Sequence, residues 1–322
     1  ISFFAFVSFF PQLVAGPIVR ASYFLPQLSV WRRPVQAEVS EGIGLILLGL
    51  VKKMVFADQF ATVAEQYFGG LSSHPGILAS WTGVVAFGMQ IYFDFAGYTD
   101  IARGLGRVLG FHFPVNFMRP YLATDIREFW HRWHISLSTW LRDYLYIPLG
   151  GNRKGRVRTY VNLLLTMLLG GLWHGASWTF VVWGGFHGML LAADRLIRSA
   201  GGRGEPFWMR SAAARNLARI MTFVLVSIGW VFFRAQTFGD AAGVLKGMAG
   251  IQGIGGSLFL RGHWILLAVS LGGMVFQERW KVFEWLVEAP DWIRGLAVAS
   301  ALYILILFSY TDTSIPFVYF QF

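Results

Sequence analysis

Apolar runs long enough for helices, separated by short basic or Gly/Pro-marked connections, set the pattern of this chain from end to end. Residues 1–14 are apolar and run into Pro11-Gln12 and Gly16-Pro17, which break a helix and place a turn before Arg20. Residues 41–56 read as a helical run ending at Lys52-Lys53, and residues 77–95 as a second, with His74-Pro75-Gly76 as the turn between them. Both are expected to span a bilayer. Residues 160–172 and 176–193 flank Trp173-His174-Gly175, residues 220–233 and 264–276 are further expected spans, and residues 296–308 are the last. Residues 250–262 form a Gly-rich connection. These unbroken, aromatic-rich runs lack the alternation of a transmembrane barrel, so the pattern predicts an all-α polytopic membrane protein.

One stretch departs from the pattern. Across residues 97–158 charged and aromatic residues interleave at a density that no lipid-facing helix tolerates. The stretch suits an amphipathic helix at the interface, or one packed inside the protein against a water-filled cavity. His131 and His134, three apart, share a helix face with Glu128 on this reading, but no third ligand at fixed spacing completes a metal site. His134 either lines a cavity with His174 or faces headgroups. Asp94 and Asp100 stand near an expected span end, where they can orient a histidine, cap the next helix or pair with Arg103. Gly104, Gly106 and Gly110 have the wrong spacing and no preceding strand for a dinucleotide loop, and fit close helix packing better.

Composition supports the membrane reading: 55% of residues are hydrophobic, 14% are charged and mean hydropathy is +0.52. The net charge of +10 comes from Lys and Arg in loops between apolar runs. The positive-inside rule accounts for that distribution, and nucleic acid is not an expected partner. With no cysteine, disulfides, thiolate metal sites and a cysteine-linked acyl intermediate are excluded. The chain opens on Ile1 without a charged leader segment and reads as an N-terminal truncation.

Basic residues flank both sides of the pair around His174, at residues 150–158 and 195–219. The apolar run before His174 covers about 20 Å of a core about 30 Å thick, which predicts a re-entrant or half-span hairpin entered from the cytoplasm. An ionisable residue inside such a hairpin marks function by default, and imidazole suits removal of a hydroxyl proton near neutral pH. The bland alternative is a buried histidine satisfied by a neighbouring helix. Basic residues 152–158 can hold coenzyme A phosphates, or simply mark the cytoplasmic side.

Seven segments, in order, resemble the membrane-bound O-acyltransferase family and its bacterial alginate O-acetyltransferase branch. They are residues 10–17 (FPQLVAGP), 90–100 (QIYFDFAGYTD), 129–140 (FWHRWHISLSTW), 142–153 (RDYLYIPLGGNR), 171–178 (GLWHGASW), 229–234 (GWVFFR) and 317–322 (FVYFQF). The resemblance implies one transmembrane domain over residues 1–322, with earlier helices of the family missing, in the bacterial cytoplasmic (inner) membrane. It implies that His174 is the catalytic histidine and that His134 is the second polar residue of the active-site tunnel, while His131 takes no catalytic role. It further implies acetyl-CoA as acyl donor, no permanently bound cofactor or metal, an extracytoplasmic acetyltransferase as partner and a polysaccharide as final acceptor. A D-alanyl transferase of the teichoic-acid type is the nearest rival, and a transporter without chemistry is the alternative of another class.

Overall fold

The computed structural model describes residues 2–13, 16–30, 33–200, 209, 211–308 and 317. Expected features in residues 14–15 and 318–322, and in most of 201–210, lie outside the described residues. From the N-terminus come α1 (Ser2–Val7), α2 (Phe10–Leu13), α3 (Ala21–Ser29), α4 (Gln36–Val51), α5 (Asp58–Gly69), α6 (Ile77–Val108), α7 (Ile126–Arg132) and α8 (Ile135–Leu141). They are followed by α9 (Gly155–His174), α10 (Trp178–Ala200), α11 (Ala212–Arg234), α12 (Phe238–Met248), α13 (Arg261–Trp280), α14 (Val282–Glu288) and α15 (Asp291–Phe308). No strand occurs among the described residues.

Three of these helices are long and apolar enough to cross a bilayer, over Trp178–Ser199, Ala212–Arg234 and Asp291–Phe308. The other expected spans are helical too. Two of them carry charge near their ends, at Lys52 and Lys53 in the π-helical continuation of α4 and at Asp94 in α6, which runs on past the expected span through Asp100, Arg103 and Arg107.

The chain divides into two compact units. The first comprises Ile1–Thr62, Met89–Asn116 and Arg261–Gln321. Here small residues let α4 and α6 touch through their backbones: a Cβ on Gly42 would lie 2.8 Å from the Gly104 carbonyl oxygen, and one on Gly49 would lie 2.5 Å from that of Gly97. Asp100 makes its expected pair with Arg103 at 3.0 Å. Asp94 caps nothing, because α6 continues past it to Val108; it pairs with Lys53 at 3.0 Å, and Lys53 also holds Asp58 at 2.7 Å.

The second unit comprises Val63–Gly88 and Phe117–Leu260, with Tyr67, Val84, Val231, Val244 and Met248 in its core. The hairpin expected around His174 is α9 followed by α10. Its first arm begins among the basic residues at Gly155, so it runs 20 residues, or about 30 Å, where the apolar run alone gave 20 Å. Gly171 and Gly184 bring the two arms into backbone contact: a Cβ on Gly184 would lie 2.1 Å from the Met167 carbonyl oxygen. His131 and His134 do not share a helix face. The helix stops at Arg132, Trp133 is extended, and His134 starts α8 from a left-handed conformation with φ 40° and ψ 55°.

Candidate active site

The break between α7 and α8 turns His134 into the second unit, where it is only 2% exposed. A left-handed backbone costs an ordinary residue about 1–2 kcal/mol, and such strain collects at functional sites. Its ring stacks on Phe117 at 6.2 Å, and Ser136 Oγ lies 3.4 Å from Nδ1. Trp133, the preceding residue, packs on Trp230 of α11 at 4.9 Å.

His174 ends α9 at the hairpin turn. As a whole residue it is half-buried, but Nδ1 is enclosed. The imidazole meets Trp183 at 5.1 Å and Phe233 at 5.2 Å, both edge to face. Trp178, a sequence neighbour, is instead 74% exposed, as suits a tryptophan at a membrane interface. The ring of Trp230 links the two histidines, since it meets Trp133 beside His134 at 4.9 Å and Trp183 beside His174 at 6.1 Å. Helices α7 to α11 thus gather both sequence-predicted histidines into one aromatic chamber.

Sequence reasoning missed a third histidine there. His187 of α10 is 0% exposed and packs against Trp183 at 5.1 Å and Trp130 at 5.3 Å. The signal was present, because His187 stands in the same apolar hairpin that singled out His174.

Beside the chamber lies a cavity of about 530 Å³. Trp130, Leu141, Met167 and Leu191 give it an apolar wall, and Arg127, Arg142, Arg195 and Arg198 give it cationic groups. Arg198 is held by Asp125 at 2.6 Å and Asp194 at 3.1 Å. Trp130 borders both cavity and chamber, since it lines the first and touches Trp183 at 5.9 Å in the second. Of the basic loop, Asn152 lines the cavity, while Arg153, Lys154, Arg156 and Arg158 are exposed. His131 stands at the cavity and not with His134. Among the described residues no group of three or more His, Asp or Glu is placed to hold a metal ion.

Helix α7 is fixed at its start by two carboxylates. Asp125 accepts from the Glu128 backbone N–H at 2.8 Å, and Glu128 reaches back to the Thr124 N–H at 2.6 Å and to Arg132 at 2.7 Å. Burial pushes the Glu128 carboxyl up, but the Thr124 donors and the Arg132 guanidinium outweigh it and hold it below the ordinary glutamate value.

The chain is 47% identical over 236 residues to the protein of Azotobacter vinelandii named "Probable alginate O-acetylase AlgI", covering 73% of this chain and 45% of that one. It is 44% identical over 251 residues to a peptidoglycan O-acetyltransferase of Helicobacter pylori, covering 77% and 46%. A teichoic acid D-alanyltransferase of Bacillus subtilis is more distant, 28% identical over 243 residues, covering 72% and 61%. The chain spans about half the length of the O-acetylating relatives it matches. The family model for membrane-bound O-acyltransferases matches residues 1–233, which include every residue of the chamber, and the chain belongs to that family.

Proposed function

We propose that this chain carries the acyl-transfer centre of a multi-pass O-acetyltransferase of the bacterial cytoplasmic membrane. Acetyl-CoA is the donor on this reading. The acetyl group passes to an extracytoplasmic polysaccharide of alginate type, directly or through a partner acetyltransferase. The observation that carries it is that His174 and His134 lie in one aromatic chamber, linked through Trp183, Trp230 and Trp133, beside a cavity whose wall is apolar and whose charged groups are mainly arginines. Arginines suit the phosphates of coenzyme A, and the apolar wall suits its extended arm.

The chemistry needs little else. His174 takes the proton of an attacking hydroxyl, the hydroxyl oxygen bonds to the thioester carbon, the carbon–sulfur bond breaks, and the imidazolium returns its proton to the leaving thiolate. Alternatively the imidazole itself carries the acyl group between donor and acceptor. His134 positions donor or acceptor in either route. Excluding water from the chamber protects the acyl group from hydrolysis.

The D-alanyl reading is the rival, and the lower identity to the D-alanyltransferase argues against it. Supplying reconstituted proteoliposomes with radiolabelled acetyl-CoA, or with a D-alanyl-loaded carrier protein, separates the two. Label transferred only from acetyl-CoA supports the proposal; label transferred only from the carrier overturns it. Transfer from neither, with solute flux across the vesicles, points to a transporter.

A further inference from the structure

Four buried residues clustered in the second unit carry polar atoms with no hydrogen-bond partner among the described residues. They are the indole N–H groups of Trp130, Trp183 and Trp230 and both ring nitrogens of His187. None of the four residues exceeds 9% exposure. They sit together: Trp183 lies 5.1 Å from His187, 5.9 Å from Trp130 and 6.1 Å from Trp230, ring centre to ring centre. Buried polar groups are nearly always paired, so one orphan is tolerable while four side by side mark a place where a partner arrives.

The chemistry of the orphans names that partner. An indole offers one N–H and no acceptor, and a neutral imidazole carries one N–H in either tautomer. A cluster dominated by such donors takes an oxygen, and it rewards one that gains negative charge. In the proposed reaction that oxygen is the thioester carbonyl, which becomes an oxyanion as the hydroxyl adds. Trp183 is the donor nearest the chemistry, because its ring also meets the His174 imidazole at 5.1 Å and 90°. Helix α11 makes room for the arrangement at Gly229, where a Cβ would lie 2.8 Å from His187 Nε2. Donors fixed among buried aromatic rings act strongly on developing charge, and they need no reorganisation when it appears.

Resting on the acyl-transfer reading, we propose that Trp183, with His187, Trp130 and Trp230 around it, forms the site that holds the acyl carbonyl oxygen while His174 handles the proton. The tetrahedral intermediate keeps that oxygen as O⁻ on the former carbonyl carbon. Collapse restores the C=O bond and expels the thiolate, which takes the proton from His174, so the donors lend charge stabilisation and exchange no proton.

Trp183→Phe keeps an aromatic ring against His174 and removes the N–H. The expected result is a kcat about a hundredfold lower, KM for acetyl-CoA within about threefold, and an unchanged or higher melting temperature. A kcat within about threefold of the parent overturns the proposal. Should that variant fail to fold, His187→Phe is expected to lose activity and His187→Gln, which keeps a donor, to recover part of it; equal activity in both overturns it. Should neither substitution fold, the His174→Ala protein is expected to bind acetyl-CoA about tenfold more tightly than ethyl-CoA, a thioether without the carbonyl oxygen, and equal affinities overturn the proposal. The two levels fail separately. Failure of the parent protein to transfer label from acetyl-CoA removes the acyl-transfer reading, whereas an active parent beside a fully active Trp183→Phe removes the donor site alone.

Discussion

Replacing Gly184 by alanine measures how closely α9 and α10 must pack to hold His174 against Trp183. The added Cβ would sit 2.1 Å from the Met167 carbonyl oxygen and 2.9 Å from its carbon. Ordinary contact begins near 3.4 Å, so the arms must part by about 1.3 Å there. Backbone cannot swing aside as a side-chain tip can. Helix propensity favours alanine by about 1 kcal/mol, while overpacking of this kind costs about 3 kcal/mol, which leaves a net loss of about 2 kcal/mol. A displacement near 1 Å at a reacting centre lowers rate about a hundredfold. The control is its neighbour Gly185, where a Cβ would meet only the tip of Leu168 at 3.2 Å, and alanine there should be neutral or mildly stabilising. Thermal unfolding in detergent and acetyl transfer in proteoliposomes read both effects. Parent-like melting and activity in Gly184→Ala, or equal damage from Gly185→Ala, would refute the backbone contact as the determinant.

Three further outcomes follow from the geometry. His134→Gly should be about 1 kcal/mol more stable than His134→Ala, because only glycine takes φ 40° without strain, and melting curves of the two variants check it. Serine at both Arg127 and Arg195 should raise KM for acetyl-CoA at least tenfold with a smaller effect on kcat, in steady-state kinetics at fixed salt. Glu128 has a folded pKa below its unfolded value of about 4.3, so its contribution to stability is present above that pH and lost as pH falls through the folded value. Glu128→Gln should therefore flatten the acid side of a melting-temperature profile, and a profile identical to the parent's would contradict the assignment.

The hairpin and its histidine were legible because they break a simple rule: an ionisable residue interrupts an apolar run between two basic flanks. The length of α9 was not, since its first turn is made of basic residues that hydropathy alone assigns to a loop. The break at Trp133-His134 carries no Gly or Pro, so nothing local signals it, and tertiary packing of Trp133 on Trp230 overrides the helical spacing of the two histidines. His187 was visible by the rule that found His174, and also by its i, i+4 spacing from Trp183. The arginine-lined cavity was hidden because its residues come from segments far apart in sequence, at Arg127, Arg142 and Arg195.

The central claim is that His174 performs the proton transfer or carries the acyl group. The measurement is transfer of radiolabelled acetyl from acetyl-CoA by the reconstituted protein, comparing parent with His174→Ala at matched folded fraction. A loss of at least a hundredfold is predicted, the scale of a missing general base. Activity equal to the parent's would contradict it.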